Sequence, residues 1–385
     1  DESANEYIDF LLGSGPMILG HSHPNVNAAV FEQVSKGSTF FANNEAGIQL
    51  AEEIVNASPC AEKVRFLSTG SEATFYAMRL ARAKRQRSKI MKFEGGFHGM
   101  NDYALMSMAP RRPGNFPQAA PDTAGIPDSI SNEMLIAPFN DTETATSLIR
   151  HHQDELAAVI VEPLQRMIPP EPGFLNSLRD VTQECDIALI FDEVVTGFRF
   201  AYGGAQEFYG VEPDLCALGK IIGGGYPLSA VAGKNQFMKY FDPEEVGVNS
   251  AVKQIGTLSG NPIAAVAGLA TLKVLREPDT YKRLFQIGQK FMDGLTDLFD
   301  KHGIAAQVRG VPPMFDILFT DDKVIDYRSA AKSDSAKLKL FNENVLRGGL
   351  LKGDNKFYVS TAHSEEDIEQ AIEICDTALA PLAAS

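Results

Sequence analysis

The stretch ALIFDEVVTGFR, Ala188 to Arg199, decides how this chain is read. Its apolar start, Ala188 to Phe191, has the continuity of a strand covered on both faces, which places it inside a mostly parallel sheet. The run then ends on two carboxylates, Asp192 and Glu193. An unpaired charge is costly to bury, so each implies a partner. Alternation along a strand sends Asp192 and Val194 to one side and Glu193 to the other.

Six more short β-rich apolar runs flank it, several of them continuous rather than alternating: KVRFLS from Lys63, KIMKFEG from Lys89, MLIAPF from Met134, AAVIVEP from Ala157, LCALGK from Leu215 and LSAVAG from Leu228. Between them lie segments such as SEATFYAMRLARAKRQR (from Ser71) and GFLNSLRDVTQEC (from Gly173), whose apolar residues recur every three or four positions, as on helices that cover a sheet. The predicted fold is α/β, a mostly parallel central sheet covered by helices over 45–278. Beyond it the pattern changes to a long helix from Tyr281, short strands and a closing helix. Residues 279–385, joined by 1–44, are expected to form a smaller α+β domain. The five prolines of 110–129 predict a long surface loop, a candidate lid.

Composition excludes several classes. The 385 residues carry 35 Lys and Arg against 50 Asp and Glu, a net charge of -15 that argues against nucleic acid or an anionic membrane as partner. No apolar run approaches the ~20 residues of a membrane helix. Cys60, Cys185, Cys216 and Cys375 are widely spaced, as in reduced core residues of a cytoplasmic protein. The glycine fingerprints of nucleotide-binding loops are missing, which removes support for a nicotinamide dehydrogenase. No metal site is expected; His21 and His23 sit beside Pro24, where capping or packing is the expected role.

The remaining signals converge on one edge of the sheet. Lys220 follows an apolar strand and precedes three glycines, and Asp192 ends another strand, so both reach the crevice where open α/β sheets bind ligands. Alone, Lys220 reads as a surface lysine, and with Asp192 it makes either an ion pair or the two flanks of a cofactor. Pyridoxal 5′-phosphate requires such a pair, a lysine for the imine and a carboxylate for the ring nitrogen. Thr69-Gly70-Ser71 at a helix start offers free N–H groups to a phosphate. Phe97-His98, in a glycine-rich turn, offers a face to a planar ring, and Thr257 in QIGTLSGNP offers a second phosphate contact.

With these motifs in this order, the sequence resembles the class III pyridoxal-phosphate aminotransferases, and within them looks closest to the glutamate-1-semialdehyde aminomutases. GPMILGHSHP, TGSEATFYAMRLARA, KFEGGFHG, VIVEPLQ, LIFDEVVTGFR, GTLSGNPIA and AHSEEDI carry the resemblance along nearly the whole chain. It implies a fold-type I transferase in which Lys220 forms the Schiff base and Asp192 pairs with the pyridine nitrogen. Gly70 and Ser71 would hold the phosphate, and Thr257 would do so from the neighbouring subunit of a homodimer with shared active sites. Val194 and Phe97 would pack on the two ring faces, with His98 and Glu162 beside the cofactor. Phe97 stands where a tyrosine is usual, and Ser14 stands where the aminomutases have a tryptophan.

The expected activity is therefore a ping-pong transamination between an amine or amino acid, such as a β- or ω-amino acid, and a keto acid or aldehyde. The intramolecular aminomutase is the alternative, and a catalytically silent binding protein the alternative of another class. Ser14, Arg166, Arg199 and Lys352 are the candidate substrate contacts, the last three as carboxylate binders.

Overall fold

The computed structural model describes residues 1–383. Among them the chain forms twelve strands: β1 (Ile8–Asp9), β2 (Lys63–Leu67), β3 (Lys89–Phe93), β4 (Met134–Ala137), β5 (Leu156–Val161), β6 (Ala188–Glu193), β7 (Leu215–Leu218), β8 (Ser229–Gly233), β9 (Gln307–Val311), β10 (Met314–Leu318), β11 (Leu350–Leu351) and β12 (Phe357–Tyr358).

All seven apolar runs enter one sheet, in the order β2-β8-β7-β6-β5-β3-β4. Neighbours from β7 to β4 are parallel, and β8 is antiparallel to both β7 and β2. Those two reversals cancel, so β2 also runs with the parallel strands. Every residue of β5, β6 and β7 is buried, the expected state of strands covered on both faces. The helix Gly70–Arg85 covers one face with Ala73, Ala77, Met78, Leu80 and Ala81.

The chain divides into two compact units, residues 24–165 with 170–273, and residues 1–23 with 166–169 and 274–385. Relative to the expected boundaries, 24–44 and 274–278 change sides and 166–169 joins the smaller unit. That unit holds β1 paired in parallel with β11, and an antiparallel β12-β10-β9 sheet. The helix Thr280–His302 buries Leu284, Ile287, Phe291, Leu295 and Phe299 at helical spacing. Phe291 packs against Phe10, Phe315 and Phe357 with ring centroids 4.9 to 5.5 Å apart.

His21 Nε2 lies 3.0 Å from Asp9 Oδ2 on the surface of the smaller unit. Lys352 is a correction. Its side chain is 2% exposed, 3.3 Å from Asp316 Oδ1 and 2.9 Å from Asn342 Oδ1, so it is spent on the interior of the smaller unit and is not offered to a substrate. Of the cysteines, Cys60, Cys216 and Cys375 are buried, whereas Cys185 is half-buried. The proline-rich loop is pinned through its middle, at Pro117, Ala120 and Asp122. Ser107 N–H donates to Ala120 O at 2.7 Å, Asp122 N–H to Leu105 O at 3.2 Å and Ile136 N–H to Pro117 O at 3.0 Å. No helix among the described residues is long and apolar enough to cross a membrane.

Candidate active site

Because β2 runs with the parallel strands, five segments leave the same carboxyl edge of the sheet: 68–71 after β2, 94–99 after β3, Glu162 after β5, 192–199 at the end of β6 and 219–220 after β7. These carry eight of the nine expected cofactor residues. Register places Asp192 beside Ala217 and Glu193 beside Leu218, so Lys220 emerges on the strand next to Asp192. Lys220 is held at φ +48, left-handed backbone that an L residue adopts at a cost of about 1–3 kcal/mol, the kind of strain that clusters at active sites.

Asp192 is 7% exposed. One carboxylate oxygen accepts the Val194 N–H at 3.1 Å, and the other lies 2.8 Å from His98 Nδ1. Burial first and the Lys92 ammonium second push the His98 imidazole down to about 3, with Glu162 opposing. A neutral ring has one N–H, and the short contact to a carboxylate places it on Nδ1. His98 O accepts the Thr74 hydroxyl at 2.6 Å, which ties this turn to the helix at 70–85.

That helix supplies the cradle. Thr69 Oγ1 accepts from Glu72 N–H, and the Glu72 carboxylate accepts from Ser68 and Thr69 N–H. This capping box leaves the N–H groups of Gly70 and Ser71 as the uncapped start of the helix. A Cβ on Gly70 would meet Val194 Cγ1 at 2.8 Å, and one on Gly99 would meet Ser71 Cα at 2.6 Å. The cradle, the 97–100 turn and Val194 are therefore in contact, and glycine is what allows it. Phe97 is 47% exposed, with its N–H fixed by Glu162 Oε2 at 2.8 Å, so its ring is available to cover a ligand.

These residues fit pyridoxal phosphate on observations independent of its name. Uncapped N–H groups meet a phosphate, a fixed carboxylate meets a basic ring nitrogen, an aliphatic and an aromatic side chain supply faces, and a strained lysine stands on the neighbouring strand.

Thr257 lies elsewhere in the larger unit. It lines a cleft of about 400 Å³ with Phe40, Phe41, Arg65 and Gln254, and neither Lys220 nor Asp192 lines it. Arg199 is 0% exposed, its Nε donating to Val195 O at 2.9 Å, so it closes the turn after β6 and is not open to a substrate carboxylate. Ser14 and Arg166 belong to the smaller unit. Ser14 sits at φ +66 in a left-handed run, and Arg166 at φ +48 with its guanidinium 5.4 Å from the Tyr327 ring. Sequence reasoning missed three buried residues that bond the 94–106 segment: Thr74 to His98 O, Gln165 to Glu94 O, and Lys92 to Ala104 O and Met106 O. A lone lysine inside the apolar KIMKF run was the available signal for Lys92.

The profile of the class-III aminotransferase family matches residues 1–379. The chain is 43% identical to a glutamate-1-semialdehyde 2,1-aminomutase from Methanothermobacter thermautotrophicus over 382 residues, 98% of this chain and 88% of that protein. An ω-transaminase from Sphaerobacter thermophilus superposes with a TM-score of 0.94 at 35% identity, covering 99% of this chain and 88% of the other. A transaminase solved with pyridoxal phosphate bound gives a TM-score of 0.89 at 29% identity, covering 98% and 87%.

Proposed function

The chain belongs to the class-III aminotransferase family, and from that premise we propose that it exchanges the amine and carbonyl of a single substrate, as a glutamate-1-semialdehyde 2,1-aminomutase. Its cofactor is pyridoxal 5′-phosphate. The observation that carries the chemistry is Asp192, buried and bonded to His98 at 2.8 Å on the strand next to Lys220. The choice of substrate is supported by the 43% identity to an aminomutase along 98% of the chain.

The bound cofactor supplies a cationic ring that draws electrons from the substrate carbon. The protein's part is to hold and to move protons. Gly70 and Ser71 N–H groups receive the phosphate, and the Asp192 carboxylate holds the proton of the ring nitrogen, since an opposite charge within a few ångströms favours the charged form. Val194 and Phe97 confine the ring, and Glu162 fixes the Phe97 backbone. Lys220 would hold the cofactor through Nζ, and its amine would serve as the general base and acid that moves a proton off the substrate carbon and delivers it to the acceptor carbon.

A two-substrate ω-transaminase is the second reading, favoured by the 0.94 TM-score at 35% identity and by Ser14. The two separate in one experiment. Loaded protein given glutamate-1-semialdehyde alone should release 5-amino-4-oxopentanoate, in which amine and carbonyl have changed places. Turnover that requires both an amino donor and a separate carbonyl acceptor would overturn the aminomutase reading. Borohydride should bleach the visible band and leave the cofactor on Lys220; labelling of another lysine would remove Lys220 from its role.

The working form is a homodimer. Its support is the exposed apolar rim around Thr257, with Phe41 70% and Ile255 67% exposed, and the separation of Thr257 from the other cofactor residues within one chain. Sedimentation should give twice the 41.8 kDa of the chain. A monomer with full cofactor affinity would remove Thr257 from the site.

A further inference from the structure

We infer that Val194 is a spacer as well as a ring contact, a positioning residue whose Cγ1 methyl sets the distance between the phosphate cradle at Gly70 and the strand end that carries Lys220. The inference rests on the reading of this edge as a pyridoxal-phosphate site and deepens it.

Gly70 and Gly219 are glycines that their own backbones do not require. Gly70 opens the helix 70–85, a position that alanine adopts at least as readily, and Gly219 is extended at φ −169, a conformation open to any residue. Their surroundings explain both. A Cβ on Gly70 would lie 2.8 Å from Val194 Cγ1 and 3.0 Å from Val194 Cγ2, and a Cβ on Gly219 would lie 3.1 Å from the same Cγ1. One methyl group thus keeps two glycines, far apart in sequence, free of side chains.

The contact reaches across two intervening strands. β8 and β7 stand between β2 and β6, so the strands that lead to Gly70 and to Val194 are roughly 14 Å apart by interstrand spacing. The segment after β2 closes that gap: Ser229 Oγ, on β8, donates to Thr69 O at 2.6 Å, and Val194 fills the space against Gly70 and Gly219. Val194 N–H in turn donates to Asp192 Oδ1 at 3.1 Å. Residue 194 therefore touches each part of the protein that the cofactor must span, the carboxylate through its backbone, and the cradle and the residue before Lys220 through one methyl. Close-packed groups transmit a change of volume as displacement, so the size of this side chain fixes how far the cradle stands from the lysine.

Paired substitutions test the spacer. Val194→Ala removes both methyls and leaves Cβ, which lies 3.5 Å from a Cβ on Gly70 and 3.8 Å from one on Gly219, ordinary contact in each case. In the wild-type background Gly70→Ala should weaken pyridoxal phosphate binding about tenfold. Gly219→Ala, one residue before the lysine, should lower the fraction of bound cofactor that shows the visible band. In the Val194→Ala background neither alanine should cause a further loss, because the added methyl takes the place of the one removed. Urea midpoints of cofactor-free protein should show the same reversal. The pair at 219 answers the question if Gly70→Ala does not fold. Losses that are equal in the two backgrounds would overturn the spacer and leave Val194 as a ring contact alone. An unchanged visible band in Gly219→Ala would also overturn it, as the mark of a merely structural valine. Failure of wild-type protein to take up the cofactor would instead strike the functional reading, and the midpoints of cofactor-free protein would still report on Val194.

Discussion

Glu193 Oε2 accepts the Ala205 N–H at 2.6 Å, one residue after Asp192 turns toward His98 on the opposite side of the same strand. The Glu193 carboxylate also accepts the Thr196 hydroxyl at 3.1 Å and the Gln206 N–H at 3.4 Å. It therefore caps the helix Gly204–Tyr209, and the two carboxylates that end β6 divide their work by alternation, one toward chemistry and one toward the fold.

Glu193→Ala should then be a stability variant. Burial pushes the Glu193 carboxyl up, against the hydrogen bonds it accepts, so part of its contribution is offset. Leaving its donors unsatisfied should still cost about 2–4 kcal/mol. Urea unfolding measures the loss, while the visible band of whatever loaded protein remains should not move. A shifted band would place Glu193 in the site.

Asp192→Asn should reach the chemistry as well as the fold. The amide keeps the shape but offers one acceptor to two buried donors, Val194 N–H and His98 Nδ1–H, so urea unfolding should show a loss of about 1–3 kcal/mol. Without the charge the bound ring nitrogen should deprotonate about 1–3 pH units lower, and turnover should fall roughly 100-fold or more. Spectral titration and initial rates check both, and unchanged turnover would remove Asp192 from the mechanism.

His98 gives a pH dependence with a definite sign. The unfolded imidazole takes up a proton near 6.5, whereas the folded one waits until about 3. Below about pH 6.5 the unfolded state therefore binds more protons, and stability is lost as pH falls toward 3, by up to about 1.4 kcal/mol per pH unit from this group. Urea unfolding of cofactor-free protein at pH 7, 6 and 5 should show a shallower fall in His98→Asn than in the wild type. Parallel curves would mean that His98 titrates normally in the fold.

Much of this was legible in the residues. The five strands β4 to β8 announce themselves because burial on both faces demands continuous apolar runs, whereas β2 at the sheet edge alternates, and Asp192, Lys220, Gly70 and Ser71 stand at strand or helix ends where chain order alone predicts convergence. Three-dimensional pairing was not legible. Arg199 and Lys352 look like surface cations in sequence, yet the fold encloses both. The Glu193 cap depends on a helix eleven residues further on, and the grouping of 166–169 with the smaller unit depends on contacts across more than a hundred residues.

Gly99 and Gly125 offer a controlled pair for the cradle. Their backbones are equally left-handed, at φ +92 and +90, so alanine brings similar strain of about 1 kcal/mol at either. They differ in surroundings: a Cβ on Gly125 meets nothing within 4 Å, whereas one on Gly99 meets Ser71 Cα, Oγ and Cβ at 2.6 to 2.8 Å. Ser71 cannot retreat without shifting the start of the helix at 70–85, and its Oγ already accepts the Met100 N–H at 3.1 Å. Gly125→Ala should lose about 1 kcal/mol in urea unfolding and bind pyridoxal phosphate as the wild type does. Gly99→Ala should lose about 1–3 kcal/mol more and bind the cofactor about tenfold more weakly, because the displaced N–H groups no longer converge on the phosphate. Equal affinities in the two variants would mean that the phosphate is held without Ser71.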